Sequence, residues 1–307
     1  MDALMILGPT ASGKTALAIE LAKRIPAEII SIDSALVYKK MDIGSAKPDE
    51  AEMAGIVHHL IDVREPFESY SAADFVKDAT ALIPEIQSRG KLPIIAGGTM
   101  LYAKALKEGL NEMPASDLAV RAQIEEQAKQ VGWPAMHEKL QKIDPTLAQR
   151  LKPADSQRIS RALEVYYQTG KPLSYYQAQK QKGSDFDFVT VGLLPGERKV
   201  LHERIAQRFD LMLSKGFLDE VKGLMAMPEF DRNWPSMRAV GYRQAIEYLC
   251  GEIDYDRFVL SGVAATRQLA KRQMTWMRSM DDIVLMDPLT QDVLTQTLSL
   301  LDLRKKL

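Results

Sequence analysis

Short unbroken apolar runs alternate, over the first hundred residues, with longer stretches in which apolar residues recur at every third or fourth position. Runs of that length bounded by Gly, Pro or Asp read as strands buried on both faces, and the longer stretches as helices lying against them. Residues 3–7 (ALMIL) and 27–32 (AEIISI) predict two strands and residues 92–96 another; residues 16–24 and 72–89 predict helices between them. Ser71 is placed to cap the second helix, Gly90 to close it and Pro84 to kink it. Strands and helices in alternation predict an α/β fold built on a parallel sheet with right-handed crossovers. From about residue 114 to 183 the strand signal stops, and helical periodicity is broken only at Pro134, Pro145, Pro153 and the turn at Gly170, Lys171 and Pro172. A helical domain over 114–187 is therefore expected, inserted into a core formed by 1–113 and 188–307. Strands return at 188–194 and 283–286, with long helices at 200–215 and 258–280 between them and a last helix over 289–307.

The turn after the first strand adds chemistry to this architecture. Gly8, Pro9, Thr10, Ala11, Ser12, Gly13, Lys14 and Thr15 fit the phosphate-loop pattern, two glycines followed by Lys and Thr between a strand and a helix. Such a loop turns backbone N–H groups and a helix N-terminus on an anion, its lysine reaches terminal phosphate oxygens, and the Thr15 hydroxyl is placed to hold Mg²⁺. The pattern does not say which phosphate compound is bound. Asp33 ends the second strand at the carboxyl edge, where open parallel sheets place their sites; it reads either as a functional carboxylate or as a turn or N-cap residue. Gly97, Gly98 and Thr99 end a further strand at the same edge, where small residues let a ligand approach the backbone. His58 and His59 are adjacent on a strand and point to opposite faces, so structural or hydrogen-bonding roles are preferred to a metal pair.

Composition narrows the class. With 46% hydrophobic and 26% charged residues in 307, the chain is globular and long enough to bury a full core. A single cysteine, Cys250, excludes a disulfide framework or a multi-cysteine zinc site. No apolar run approaches the roughly 20 residues of a membrane helix, and no apolar signal core precedes the first strand. A cytoplasmic protein with no membrane partner is the expectation. The net charge of −1 decides nothing about nucleic acid, but its distribution is uneven. Between residues 150 and 182 Arg150, Lys152, Arg158, Arg161, Lys171, Lys180 and Lys182 face only Asp155 and Glu164. Between 257 and 280 five basic residues face no acid, and Arg267, Lys271 and Arg278 share one helical face. Such a stripe can follow a phosphate backbone, although charged helix faces are also simply solvated.

The set GPTASGKT, IISIDSALVYKKMDIGSAKP, HHLID, YSAADF, IIAGGT, DSQRISRALEV, RFDLMLSKGFLDEV and RAVGYRQ, in this order, closely resembles the bacterial tRNA dimethylallyltransferases over almost the whole chain. The resemblance implies a phosphate-loop NTPase-like core and transfer of a dimethylallyl group from dimethylallyl diphosphate to N6 of adenosine 37 in the anticodon stem-loop of tRNA, with Mg²⁺, by a monomer. It implies that the phosphate loop holds the diphosphate, that Arg208 spreads the leaving group's charge, that Asp33 is the base, and that Thr99 and Arg121 lie near the reacting groups and tRNA. The tRNA-contacting segments it implies are Asp33, Ser34, Ala35 and Leu36; Gln157, Arg158, Ile159, Ser160 and Arg161; and Arg238, Ala239, Val240, Gly241, Tyr242 and Arg243. Ser45 stands where threonine is usual and Val57 where proline is common, and neither touches the implied chemistry. A small-molecule kinase with the same loop, an adenylate prenyltransferase acting on AMP or ADP, and a non-enzymatic RNA-binding module are the competing readings. The downstream motifs and the two basic stretches weigh against the first, the basic insert against the second and the phosphate loop against the third.

Overall fold

The computed structural model describes residues 1–111, 113–179 and 183–305. These form two compact units, one made of Met1–Lys107 with Ser184–Leu307 and the other of Glu108–Gly183. The helical unit thus opens at the end of a helix, before Pro114, and residues 184–187 belong with the sheet. Among the described residues no helix is long and apolar enough to cross a membrane.

The first unit carries β1 (Ala3–Leu7), α1 (Lys14–Ala22), β2 (Ala27–Ile32), α2 (Glu50–Met53), β3 (His58–His59), α3 (Ala72–Ser88), β4 (Leu92–Gly97) and the start of α4 (Met100–Glu108). In the second are α5 (Leu118–Val131), α6 (Trp133–Ile143), α7 (Pro145–Ala148), α8 (Ser156–Thr169) and α9 (Leu173–Gln177). The first unit resumes with β5 (Phe188–Leu193), α10 (Arg198–Ser214), α11 (Phe217–Met225), α12 (Tyr242–Leu249), α13 (Tyr255–Arg278), β6 (Val284–Met286) and α14 (Val293–Lys305).

The strands form one parallel sheet in the order β3-β2-β4-β1-β5-β6. Every residue of β1 and β2 is buried, which is why both read as continuous apolar runs. One face is covered by α3, α4 and α10–α13 through Phe75, Ile83, Tyr102, Phe209, Phe217 and Phe258; the other by α1 and α14 through Leu17, Leu21 and Leu301. Register places the site. Leu7 lies opposite Gly97 and Ile32 opposite the same Gly97, so β1, β4 and β2 end level with one another, and the loops that follow them emerge side by side. A Cβ on Gly97 would sit 2.4 Å from the Ile32 carbonyl oxygen, so only glycine permits this approach.

Ser71 caps α3 in a reciprocal capping box with Asp74, and Gly90 follows the helix at φ 69°. The first helix begins at Lys14, earlier than its periodicity suggests, because the loop's own Lys and Thr form its first turn.

Glu28, the second residue of β2, is 2% exposed. Its carboxylate accepts from Arg89 Nε (3.1 Å) and Nη2 (2.7 Å), from Lys91 Nζ (3.0 Å) and faces His59 Nε2 at 2.7 Å. His59 therefore has a hydrogen-bonding role, in keeping with its position on a short strand. The bond from Arg89, ahead of His59 and Lys91, holds the Glu28 carboxyl down to about 2 against the opposing effect of burial. A folded-state value below the ordinary 4.5 gives a contribution to stability that is whole above that pH and fades as pH falls toward 2. Glu28→Gln is expected to lower stability at pH 7 by about 1–3 kcal/mol, the range for a lost charged hydrogen bond, since Arg89 and Lys91 can still reach water. Melting curves should show the gap to wild type closing between pH 4.5 and 2; a constant gap would mean the defect is packing, not charge.

In the second unit α5–α9 close on Ile124, Met136, Leu140, Ile159 and Leu163. Asp144, 1% exposed, accepts from Leu147 N at 3.0 Å and Ser174 N at 2.8 Å and so ties α7 to the start of α9.

Candidate active site

The loop after β1 is shaped for an anion. Ala11 (φ 63°) and Gly13 (φ 91°) are both left-handed, and Gly13 caps α1 without any side-chain bond to the first-turn N–H groups. Those donors and the positive end of the helix face outward. The Ser12 hydroxyl is buried with no protein partner, and a Cβ on Gly8 would press to 2.4 Å from it. Lys14 Nζ donates back to the Pro9 carbonyl at 3.3 Å, and Thr15 is exposed on the first turn.

Beside this loop the end of β2 turns through Asp33, whose Oδ1 accepts from Ala35 N at 2.9 Å. Asp33 caps no helix: the next one, α2, is capped by Asp49. The N-cap alternative is thereby removed, and what remains is an Asx turn that engages one carboxylate oxygen. Thr99 pins the loop after β4 to the same place, its N–H donating to Ile32 O at 3.1 Å and its Oγ1 accepting from Ser34 N at 3.0 Å.

A single pocket is lined by the polar Lys14, Asp33, Ser45 and Arg208 and by the apolar Ile205, Phe209, Met212, Phe217, Val240 and Leu269. Burial, with the neighbouring Arg208 adding to it and Asp33 opposing, pushes the Lys14 ammonium down to about 8. Arg208 is lowered as well, chiefly by burial, with Asp33 again opposing. Two cations crowded out of water next to one carboxylate leave a positive excess that an anionic ligand would relieve.

The pocket wall at residues 42–45 hangs on a carboxylate that the sequence motif contains but does not reveal. Glu220 on α11 accepts from the backbone N–H groups of Asp42 (2.7 Å), Ile43 (2.6 Å) and Gly44 (3.1 Å) and from the Tyr242 hydroxyl (2.6 Å). A Cβ on Gly44 would come within 2.2 Å of the Phe217 ring, so this wall is tightly packed. Lys47 locks its far end to Asp42, Asp62 and the Tyr38 carbonyl. The Ser45 carbonyl then faces Arg208 Nη2 at 3.4 Å. Gln273, also unmarked in the sequence, accepts from Thr10 N at 3.0 Å and donates to Gly98 O at 2.9 Å.

The segments expected to touch tRNA divide by exposure. Arg238 and Arg243 are exposed on the surface of the first unit, as are Gln157 and Arg158 on the second. Tyr242 is not: it is fully buried, its ring edge-on to Phe217 and its hydroxyl spent on Glu220. Ile159 is likewise fully buried in the helical core, so its side chain supports the segment without facing outward. Gly241 is buried, whereas Ala239, Val240 and Ser160 are half-buried. Arg121 and Arg161 both engage the fully buried Glu164, at 3.1 and 2.9 Å, a carboxylate that also accepts from Ser116 Oγ and Asp117 N. Of the stripe on α13, Lys271 and Arg278 are exposed, but Arg267 is turned inward with its Nη2 at 3.5 Å from the His202 carbonyl. Lys180 and Lys182 lie outside the described residues.

A family model described as IPP transferase matches residues 36–280. The chain is 59% identical to the tRNA dimethylallyltransferase of Chromobacterium violaceum over 92% of this chain and 87% of that protein. To the tRNA dimethylallyltransferase of Paraburkholderia phymatum it is 54% identical, over 92% of this chain and 90% of the other. The crystal structure of full-length tRNA isopentenylpyrophosphate transferase from Bacillus halodurans is similar with a TM-score of 0.72 at 37% identity, covering 100% of this chain and 96% of that one. A eukaryotic dimethylallyltransferase acting on tRNA is similar with a TM-score of 0.77 at 29% identity, over 97% of this chain and 77% of the other.

Proposed function

Because the chain belongs to the IPP transferase family, we propose that it transfers a dimethylallyl group from dimethylallyl diphosphate to N6 of adenosine 37 in tRNA and releases diphosphate. The observation that carries this is the joining of Lys14, Arg208 and Asp33 to an apolar wall in one pocket. A donor with a charged head and a five-carbon apolar tail matches both halves of that lining.

In the reaction the N6 lone pair forms a bond to the allylic carbon while the carbon–oxygen bond breaks and its electron pair leaves with the diphosphate. The N–H proton goes to the Asp33 carboxylate through the oxygen not engaged by Ala35. Lys14, Arg208 and the uncapped N–H groups of α1 stabilise the charge that grows on the leaving group. The apolar wall excludes the water that would otherwise intercept the allylic cation character. Among the described residues no three His, Cys, Asp or Glu side chains converge on a metal position. Mg²⁺ prefers one or two protein oxygens completed by phosphate and water; held by the Thr15 hydroxyl, exposed on the first turn of α1, it would add Lewis-acid charge at the diphosphate. The target base leaves the anticodon-loop stack to enter the pocket. On this reading the protein works as a monomer in the cytoplasm.

Incubation of the purified protein with unmodified tRNA and labelled dimethylallyl diphosphate, followed by nucleoside analysis, tests the reading. Label in N6-(dimethylallyl)adenosine is expected; ATP turnover without tRNA would favour the kinase, and label on free AMP the adenylate prenyltransferase. For the RNA surface, Lys271→Glu with Arg278→Glu should raise the tRNA KM and leave the donor KM unchanged. The slope of log affinity against log salt should fall by about one unit for each phosphate that is no longer neutralised. Equal effects on both substrates, or on neither, would make the exposed part of α13 a solvated face.

A further inference from the structure

We infer that Gln273 is a positioning residue whose amide holds the phosphate loop and the Gly98 turn at a fixed separation, and through them sets the distance between the diphosphate site and Asp33. The inference rests on the functional reading above.

The sheet cannot do this by itself. Its ladder between β1 and β4 runs to Leu7 and Gly97, and the working loops begin immediately beyond. There the side chain of Gln273, 8% exposed and carried on a helix 24 residues long, enters between them. Its Oε1 accepts from Thr10 N at 3.0 Å and its Nε2 donates to Gly98 O at 2.9 Å. The residue after Gly98 is Thr99, whose Oγ1 accepts from Ser34 N, and Ser34 follows Asp33. Three hydrogen bonds and two steps along the backbone thus link the apex of the anion loop to the base.

The chemistry of the position is demanding. One side needs an acceptor and the other a donor, about 2 Å apart on a planar group, and the primary amide of Gln offers both at every pH near neutral. Glutamate has nearly the same shape but would bring a carboxylate oxygen against the Gly98 carbonyl. Glycine at 98 is part of the same device, because a Cβ there would lie 2.4 Å from Gln273 Nε2 and 3.2 Å from Gly8 O. Gly98→Ala therefore displaces the strut while leaving Gln273 in place.

The test measures single-turnover prenyl transfer, donor and tRNA affinity, and melting temperature for wild type, Gln273→Glu, Gln273→Met, Gly98→Ala and the Gln273→Met/Gly98→Ala double variant. Misplacement of the reacting groups by about 1 Å lowers rate by about a hundredfold, so reductions of about ten- to a hundredfold are expected in each single variant, with tRNA affinity unchanged. Because both changes break one device, the double variant should be no slower than the worse single one. Folded Gln273→Met enzyme with a wild-type rate and merely a lower melting temperature would reduce Gln273 to a packing role and overturn the inference. Reductions that multiply in the double variant would overturn it too. Should Gln273→Glu fail to fold, Gly98→Ala carries the same comparison with the amide intact. Absence of prenyl transfer by the wild type would instead sink the functional reading, so the two failures are distinguishable.

Discussion

Asp33→Ala is expected to lower the single-turnover rate of prenyl transfer by about 10²- to 10⁴-fold, the usual contribution of a general base, while tRNA and donor still bind. An exocyclic adenine amine is a weak nucleophile and must shed a proton as it attacks carbon, and Asp33 is the carboxylate in the pocket with Lys14 and Arg208. The Asx turn makes Asn the decisive substitution. An Asn side chain keeps an acceptor for Ala35 N–H, so the turn survives, but at neutral pH it cannot take the proton. Asp33→Asn should therefore melt like wild type and react as slowly as the alanine variant. Near-normal single-turnover rate in the Asn enzyme would show that Asp33 only orients the base.

Lys14→Ala is expected to remove use of the diphosphate donor, with a drop of about 10²- to 10³-fold or more in kcat as for other preorganised donors to a developing anion. The burial that lowers the Lys14 ammonium also takes it partly out of water, which strengthens its attraction for a bound diphosphate. Arg208 remains in the pocket of the variant and should retain weak donor binding, which separates loss of chemistry from loss of the site. tRNA affinity, measured without donor, should stay close to wild type. Donor turnover retained by Lys14→Ala would take the phosphate loop out of the mechanism.

What is legible in the sequence follows from where each residue's partners lie. The two strands that open the chain can be bounded to the residue because strands buried on both faces are dominated by apolar residues, and the anion loop because the left-handed cap of α1 favours glycine at position 13, although Ala11 is left-handed as well. The capping box at Ser71 is equally local. Glu28 shows the limit, since a carboxylate inside an apolar run is explained only by Arg89 and Lys91, which lie between the end of α3 and β4 and come alongside only in the fold. Gln273 and Glu220 are hidden for a stronger reason: apart from the Tyr242 hydroxyl on Glu220 their partners are backbone atoms, and a backbone group leaves no mark on the sequence. Motif adjacency likewise does not say which way a side chain turns. Tyr242 and Arg243 are neighbours in RAVGYRQ, yet α12 buries the first and exposes the second. Arg267 is helical, as its spacing predicts, but lies on the side against α10.

The grip of Glu220 on residues 42–44 spans 176 to 178 positions of the chain, and that span has a meaning in time. At a bacterial synthesis rate of about 5–20 residues per second, Glu220 is made on the order of ten to forty seconds after the loop it holds. Throughout that interval the nascent chain already possesses its glycine loop and Asp33, but the wall opposite them has no carboxylate to gather its N–H groups. Arg208, Phe209 and Phe217 are likewise still to come. The pocket is thus assembled late in translation, and a chain still on the ribosome has no complete pocket until its C-terminal helices have closed over the sheet.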